Sequence, residues 1–315
     1  MAGKEDMKVL IIDIDSKIPN LALKKIEKYH LDKGDGVIWH NKLLYGQVEK
    51  TYVSVIFKQN RWKAEQFNNA VKGGSGWDLV TKLPPEIDKI KPHINLGFTT
   101  RGCFRKCPFC IVWEKEGELK IEGDLLDLWD GKSRNVVLLD NNILGIREQF
   151  LLVCKQAREN KIRVDFNQGL DHRLLTKDIV KELKSISHIE YRFAFDHPSS
   201  FSSVERAIDL LQKEGINRCS WYVLVGFNTT LEEDIKRLNY LRERNQNAYV
   251  QRYIMQPQYI PLARWANQHH IFQAMDWTHF INRKENRKYL IYFFSKSPTT
   301  DKEGRDEKSK YNNNY

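Results

Sequence analysis

"RGCFRKCPFC", residues 101–110, sets Cys103, Cys107 and Cys110 at spacings of four and three, and the rest of the 315-residue chain holds only two further cysteines. Thiolates are soft ligands that suit zinc or iron–sulfur clusters. Structural zinc takes four ligands, commonly as two separated pairs. This loop supplies three, and no second CxxC stands elsewhere. His93 is the nearest histidine upstream, but it sits inside the run "HINLGF" (93–98), which reads as a strand. Cubane clusters are usually held by four cysteines, so three from one tight loop leave one iron open to another ligand.

The strand before this loop begins a series. "HINLGF" is followed by "NVVLLD" (135–140), "IRVDFN" (162–167), "HIEYRFAF" (188–195), "RCSWYVLVGF" (218–227) and "AYVQRYIM" (248–255). Helical stripes lie between the later runs: Phe150, Val153, Cys154 and Ala157; Val204, Ala207, Ile208 and Leu211; Leu231, Ile235 and Leu238. Ser202 with Glu205, and Thr229 with Glu232, read as capping boxes opening two of them. This alternation predicts βα units and a parallel sheet. Six units are too few for a standard eight-stranded barrel. The expectation is a partial (βα)6 TIM-like barrel over residues 91–258. Barrel chemistry sits at the C-terminal ends of strands, and the cysteine loop follows the first one.

Residues 1–90 read as a small Rossmann-like α/β domain. "KVLIIDID" (8–15) and "TYVSVIF" (51–57) are buried strands, "LALKKIEKYHLDKG" (21–34) is a helix stopped by Gly34, "RWKAEQFNNA" is a short helix, and "VKGGSGW" (71–77) ends a strand in a glycine turn. "KLPPEIDKIKP" (82–92) reads as an irregular linker because of its prolines. Residues 259–295 form an aromatic-rich extension of one or two helices, with core the favoured role for the aromatics. Residues 296–315 are almost devoid of apolar side chains and read as a disordered tail.

The net charge is +10, of which +4 lies from Arg283 onward, where nine Lys and Arg face five Asp and Glu. The rest is spread over a large body, so nucleic acid is a less favoured partner than a merely solvated basic surface. No apolar run reaches a membrane-spanning length. Five cysteines, three of them clustered, make a poor disulfide framework and point to a reducing, cytoplasmic setting.

CxxxCxxC in a loop after the first strand of a partial barrel resembles the radical S-adenosylmethionine (SAM) superfamily. The resemblance spans roughly residues 93–255. It implies that Cys103, Cys107 and Cys110 hold a [4Fe–4S] cluster whose open iron is chelated by S-adenosyl-L-methionine. It further implies reductive cleavage to a 5′-deoxyadenosyl radical that abstracts a substrate hydrogen, and a reducing electron donor such as flavodoxin or ferredoxin. By the same resemblance Phe109 packs near the adenine. Asp140, Asn141 and Asn142 in "LDNNILG" (139–145) bind the methionine amino group, although the family's glycine–glycine–glutamate run is missing there. Asn167, Gln168 and Asp171 in "NQGLDHRLL" (167–175) serve the ribose hydroxyls, and Arg173 the carboxylate. Gly226 in "VLVGFNTTLEED" (223–234) lets the backbone approach the adenine. For each of these positions, an ordinary cap or turn is the competing explanation.

The α/β domain ahead of the barrel resembles a degenerate cobalamin-binding domain, with "VSVIF" (53–57) and "GGSG" (73–76) as the nucleotide-cradling parts. The Asp-x-His-x-x-Gly lower-ligand motif is absent: "DIDSKI" puts Asp15 where the histidine should stand and Ile18 where the glycine should. Cobalamin is therefore weighed as a further cofactor against a missing cobalt ligand. Cys154 and Cys219 lie on a helix face and a strand and read as buried apolar positions, which argues against a second cluster. Two alternatives stand beside the leading enzyme: a cobalamin-dependent radical methyltransferase, and a non-catalytic zinc or iron–sulfur nucleic-acid-binding protein. The substrate is not legible.

Overall fold

The computed structural model describes residues 7–294. The run KVLIID forms β1 (Lys8–Asp13). Val9 and Ile11 enter one apolar cluster with Leu23 and Ile26, and Leu10 and Ile12 enter another with Val53, Val55 and Phe67. Burial on both faces explains why the run is continuously apolar rather than alternating. α1 (Leu21–Asp32) is opened by the Asn20 side chain, which accepts from the Leu23 N–H, and the chain turns away through Gly34 at φ +85°. β2 (Gly36–Trp39), β3 (Lys50–Ser54), α2 (Arg61–Glu65) and β4 (Val71–Gly73) complete an all-parallel sheet in the order β2-β1-β3-β4. β2 has no counterpart in the sequence reading. It is an edge strand of four residues, none fully buried, so its apolar signal is weak.

The stretch expected as an irregular linker contains α3 (Pro85–Asp88). Proline is tolerated in a first helical turn, where its missing N–H has no partner to lose. Ile87 is buried in the cluster that holds Val9 and Leu23, and the Lys25 ammonium meets the Asp88 carboxylate at 2.8 Å. α3 is therefore anchored to the N-terminal unit through Ile87 and Asp88.

Next come β5 (Leu96–Gly97), β6 (Thr100–Arg101), α4 (Val112–Lys115), β7 (Lys120–Ile121), β8 (Asn135–Leu138), α5 (Arg147–Glu159) and β9 (Arg163–Phe166). They are followed by α6 (Lys177–Ser185), β10 (Arg192–Ala194), α7 (Phe201–Lys213), β11 (Ser220–Val225), α8 (Leu231–Glu243) and β12 (Asn247–Arg252). Strands β5-β8-β9 form one parallel sheet and β10-β11-β12 another. A parallel bridge between Val164 and His188 links β9 to the segment entering β10. The architecture is mixed α/β with several parallel sheets. All six expected strand runs contain a strand, each shorter than its run. "HINLGF" keeps only two paired residues because His93 and Asn95 adopt left-handed φ of 50° and 60°, which interrupt the extended chain.

The helices differ from expectation mainly at their starts. α7 begins at Phe201, so Ser202 lies inside it and caps nothing. The capping box of α8 is Thr230 with Glu233, one residue on from the expected pair. α6 has no counterpart in the sequence reading, yet Ile179, Val180 and Leu183 bury one face and the Thr176 side chain caps it. The C-terminal segment makes four short helices, not one or two: α9 (Tyr259–Ala266), α10 (His269–Ala274), α11 (Trp277–Ile281) and α12 (Ile291–Phe294). Trp265, Phe272, Trp277 and Phe280 join the main core, with Trp265 and Phe272 ring centroids 4.8 Å apart, so these aromatics are packing residues. The expected disordered tail at 296–315 lies outside the described residues. Among those described, no helix is long and apolar enough to cross a membrane.

Candidate functional site

β6 and β7 pair antiparallel, Thr100 opposite Ile121 and Arg101 opposite Lys120, and close residues 102–119 into a loop. Gly102 starts it at φ +89°, where a Cβ would lie 2.2 Å from the Glu118 carbonyl oxygen, so only glycine fits. The Cys103 N–H donates to the Gly117 carbonyl at 3.2 Å and the Cys110 N–H to the Cys107 carbonyl at 3.0 Å. The Cys103 sulfur accepts from the Arg105 N–H at 3.3 Å and from the Asn142 amide at 3.6 Å. All three thiols are free and half-buried. Burial pushes the Cys107 and Cys110 thiols above their ordinary value, and the neighbouring cysteines push the same way.

Behind the loop, Asp140 is 4% exposed. Its carboxylate accepts from the Thr99 N–H at 3.1 Å, the Thr99 hydroxyl at 2.7 Å, the Thr100 hydroxyl at 2.6 Å, and the Thr100 N–H. Burial raises its carboxyl above the ordinary value against the pull of those bonds. Asp140 is thus engaged by the two threonines that lead into the cysteine loop, an arrangement that fastens the chain there. Asn141 is likewise engaged, its side-chain oxygen accepting from the Gly102 N–H at 2.9 Å. Asn142 differs. It is buried beside Cys103, donates to Asp171 at 3.3 Å, and its side-chain oxygen is buried without a hydrogen-bond partner.

Asp171 joins three elements. Its carboxylate accepts from Arg105 Nε at 2.6 Å, Arg173 Nε at 2.7 Å and the Arg173 N–H at 3.2 Å. Burial works to raise this carboxyl, but the bonds from Arg173 and Arg105 outweigh it and hold it below the usual carboxylate range. Arg105 has no counterpart among the residues expected from sequence. Its place between two of the three cysteines is the signal the sequence carries for it.

A cavity of about 330 Å3 opens beside Cys107, lined among others by Phe109, Asp171, Arg173, Asp196 and Phe227. Phe109 and Phe227 meet edge to face, with centroids 5.4 Å apart. Burial pushes the Asp196 carboxyl up to about 6 against the pull of Arg237 and Arg173. Asp196 and Phe227 lie at the ends of the strand runs carrying β10 and β11, where barrel logic would have looked for them. Asn167 and Gln168 are not among the lining residues. Asn167 is held through its carbonyl by the Tyr222 hydroxyl at 2.9 Å, and Gln168 is exposed. Gly226 adopts φ +80°, and a Cβ there would meet Ile254 and Tyr259 at 3.0 Å, so its close approach is to the chain's own side chains.

The three half-buried thiols of the loop are soft donors of the kind that both iron–sulfur clusters and zinc take. Among the described residues, no group of three or more His, Cys, Asp or Glu side chains is gathered to hold one metal ion. Cys154 and Cys219 are buried elsewhere, each thiol pushed by burial up to about 12.

The N-terminal residues do not fit cobalamin. Asp15, at the position of the missing histidine, accepts from the Ile56 N–H at 2.7 Å, the Phe57 N–H at 3.1 Å and the Asn60 amide at 2.9 Å. A Cβ on Gly74 would lie 2.3 Å from the Val55 carbonyl oxygen, and one on Gly76 2.7 Å from the Phe57 backbone. The glycine turn is thus pressed against the chain's own β3 exit. Its Ser75 hydroxyl accepts from Lys115 Nζ, in α4 within the cysteine loop, at 2.5 Å. No protein-family model matches this chain, and no curated protein matches it.

Proposed function

We propose that this chain is a radical SAM enzyme with one [4Fe–4S] cluster on Cys103, Cys107 and Cys110, and that its two three-stranded parallel sheets form one curved, six-stranded partial barrel. The sheet orders β5-β8-β9 and β10-β11-β12 and the Val164–His188 bridge support that continuity. The observation that carries the reading is three half-buried thiols in one glycine-hinged loop beside a cavity lined by aromatic, anionic and cationic side chains. When bound, the cluster and S-adenosylmethionine supply an electron and a 5′-deoxyadenosyl radical that takes a hydrogen from substrate.

The chain's own groups then have separable tasks. Phe109 and Phe227 provide an aromatic wall for the adenine. The unpartnered Asn142 oxygen accepts from the methionine amino group, the task expected of Asp140, Asn141 and Asn142 together. Arg173, half-exposed and already oriented by Asp171, offers its remaining N–H groups to the carboxylate. Asp196 hydrogen-bonds a ribose hydroxyl. Arg105 ties the cysteine loop to Asp171, and the buried flanks exclude water from the reacting atoms. Cobalamin has no part in this reading.

Anaerobic reconstitution tests it. About four irons per chain are expected, lost in Cys103→Ala, Cys107→Ala and Cys110→Ala and retained in Cys154→Ser. With dithionite the reconstituted protein forms 5′-deoxyadenosine from S-adenosylmethionine, and Asn142→Leu weakens cosubstrate binding without loss of iron. Stoichiometric zinc without iron, or a full cluster that does not bind S-adenosylmethionine, overturns the proposal.

A further inference from the structure

A second cavity, of about 590 Å3, lies where β8 and β9 begin, at the ends of these strands opposite the cysteine loop. Arg134, Arg158, Lys161 and Arg163 line it, together with the hydroxyl-bearing Ser185 and Ser187. Its volume falls within the range of about 300–1,000 Å3 usual for small-ligand sites.

The four cations come from two pieces of chain, Arg134 from one and Arg158, Lys161 and Arg163 from the other. Arg134 precedes β8 and Arg163 opens β9, and the Arg163 N–H donates to the Arg134 carbonyl at 2.6 Å, which sets the two residues side by side. Arg163 Nε is steadied by the His188 carbonyl at 3.2 Å. Arg158 stands in the last turn of α5, donating to Glu182 at 2.6 Å and to the Ser185 hydroxyl at 2.5 Å. Lys161 follows in a turn at φ +53°. The C-terminal dipole of α5 accounts for cations at Arg158 and Lys161. It does not account for Arg134 and Arg163, which enter from strand starts. Among the described residues, Glu182 is the one carboxylate in an ion pair with any of the four. Like charges crowded around one concavity repel unless an anion joins them, and guanidinium forks match phosphate oxygens in geometry as well as charge.

We infer that this cavity binds a compact phosphate-bearing anion, held chiefly by Arg134 and Arg163 and unrelated to the cysteine chemistry. The cations surround a concavity, which favours a small polyphosphate-type ligand over an extended nucleic-acid backbone.

Titration calorimetry of the full chain with sodium tripolyphosphate at low ionic strength tests this. Saturable binding is expected, weakened about tenfold by Arg134→Gln and again by Arg163→Gln, the usual effect of removing one charged hydrogen-bonding group. Lys155→Gln, which alters a lysine outside the cavity, and Cys103→Ala both leave the affinity unchanged, so this result stands or falls apart from the cluster. Because all four cations are exposed, the variants keep the parent's thermal midpoint. If Arg163→Gln does not fold, Arg134→Gln decides alone. Absence of saturable binding overturns the inference. So does equal weakening by Lys155→Gln, or binding of a short RNA oligonucleotide with which tripolyphosphate does not compete.

Discussion

Replacing Asp140 tests whether that carboxylate is a ligand or a fastener. Thr99 and Thr100 are both 0% exposed, and each gives Asp140 its backbone N–H and its hydroxyl. In Asp140→Ala the hydroxyls can rotate to other acceptors, but two buried N–H groups lose theirs. Each such orphan costs about 1–3 kcal/mol, and water entering the small polar void returns part of it. A net loss of about 3 kcal/mol follows, a large fraction of the roughly 5–15 kcal/mol that holds a domain folded. Asp140→Asn keeps the volume and one accepting oxygen, turns an NH2 group toward the remaining donors, and sheds the burial cost of the charge. Its loss is about 1 kcal/mol. Urea unfolding of the metal-free protein, followed by tryptophan fluorescence, is the assay. With a slope of about 3 kcal/mol per molar, the alanine variant's midpoint falls by about 1 M with the slope unchanged. A shift below about 0.5 kcal/mol, or asparagine costing more than alanine, refutes the fastening role. A fully stable Asp140→Ala protein that binds S-adenosylmethionine poorly would restore the ligand role instead.

Gly73→Ala and Gly74→Ala should part company. A Cβ on Gly73 meets nothing closer than Thr81 at 3.8 Å, whereas one on Gly74 sits at φ +96° and 2.3 Å from the Val55 oxygen, so the first is near neutral and the second costs about 3 kcal/mol by thermal unfolding. Equal effects would mean the turn is not packed as described. His172 gives a pH test. Burial lowers its imidazole to about 4, so between the unfolded value near 6.5 and that point the unfolded chain takes up a proton the folded one refuses. Stability is full above about 6.5 and falls by up to about 3 kcal/mol as pH drops toward 4. The difference in stability between the parent and His172→Gln, measured across that window, should shift by this amount, and a constant difference would contradict it.

Much of the layout is legible in side-chain periodicity. The run KVLIID marks β1 because both its faces are buried. The stripes Phe150–Ala157 and Val204–Leu211 mark α5 and α7 because one face of each is buried. Periodicity fails where signals are short or conflicting. β2 is four residues at an edge, and α3 begins with a proline that reads equally as a break. Cap positions slip by a residue or two because Ser200, Ser202 and Ser203, or Thr229 and Thr230, compete for one role.

At the candidate site the division is sharper. The spacing of Cys103, Cys107 and Cys110, and their place after the first strand of a βα series, are properties of the chain itself. Which polar neighbour is free and which is already engaged is not. Asp140 and Asn142 are two residues apart and look alike as candidates, yet one is saturated by threonines 40 and 41 positions upstream and the other keeps an unpartnered oxygen. Arg105 reaches Asp171 across 66 positions. Arg134 and Arg163 come side by side only because β8 pairs with β9 in a particular register. Local sequence determines backbone preference and which face of an element is apolar, since both depend on residues within a turn or a pleat. A hydrogen-bond acceptor or a cavity wall is decided by which distant segment arrives beside it, and only the assembled sheets settle that.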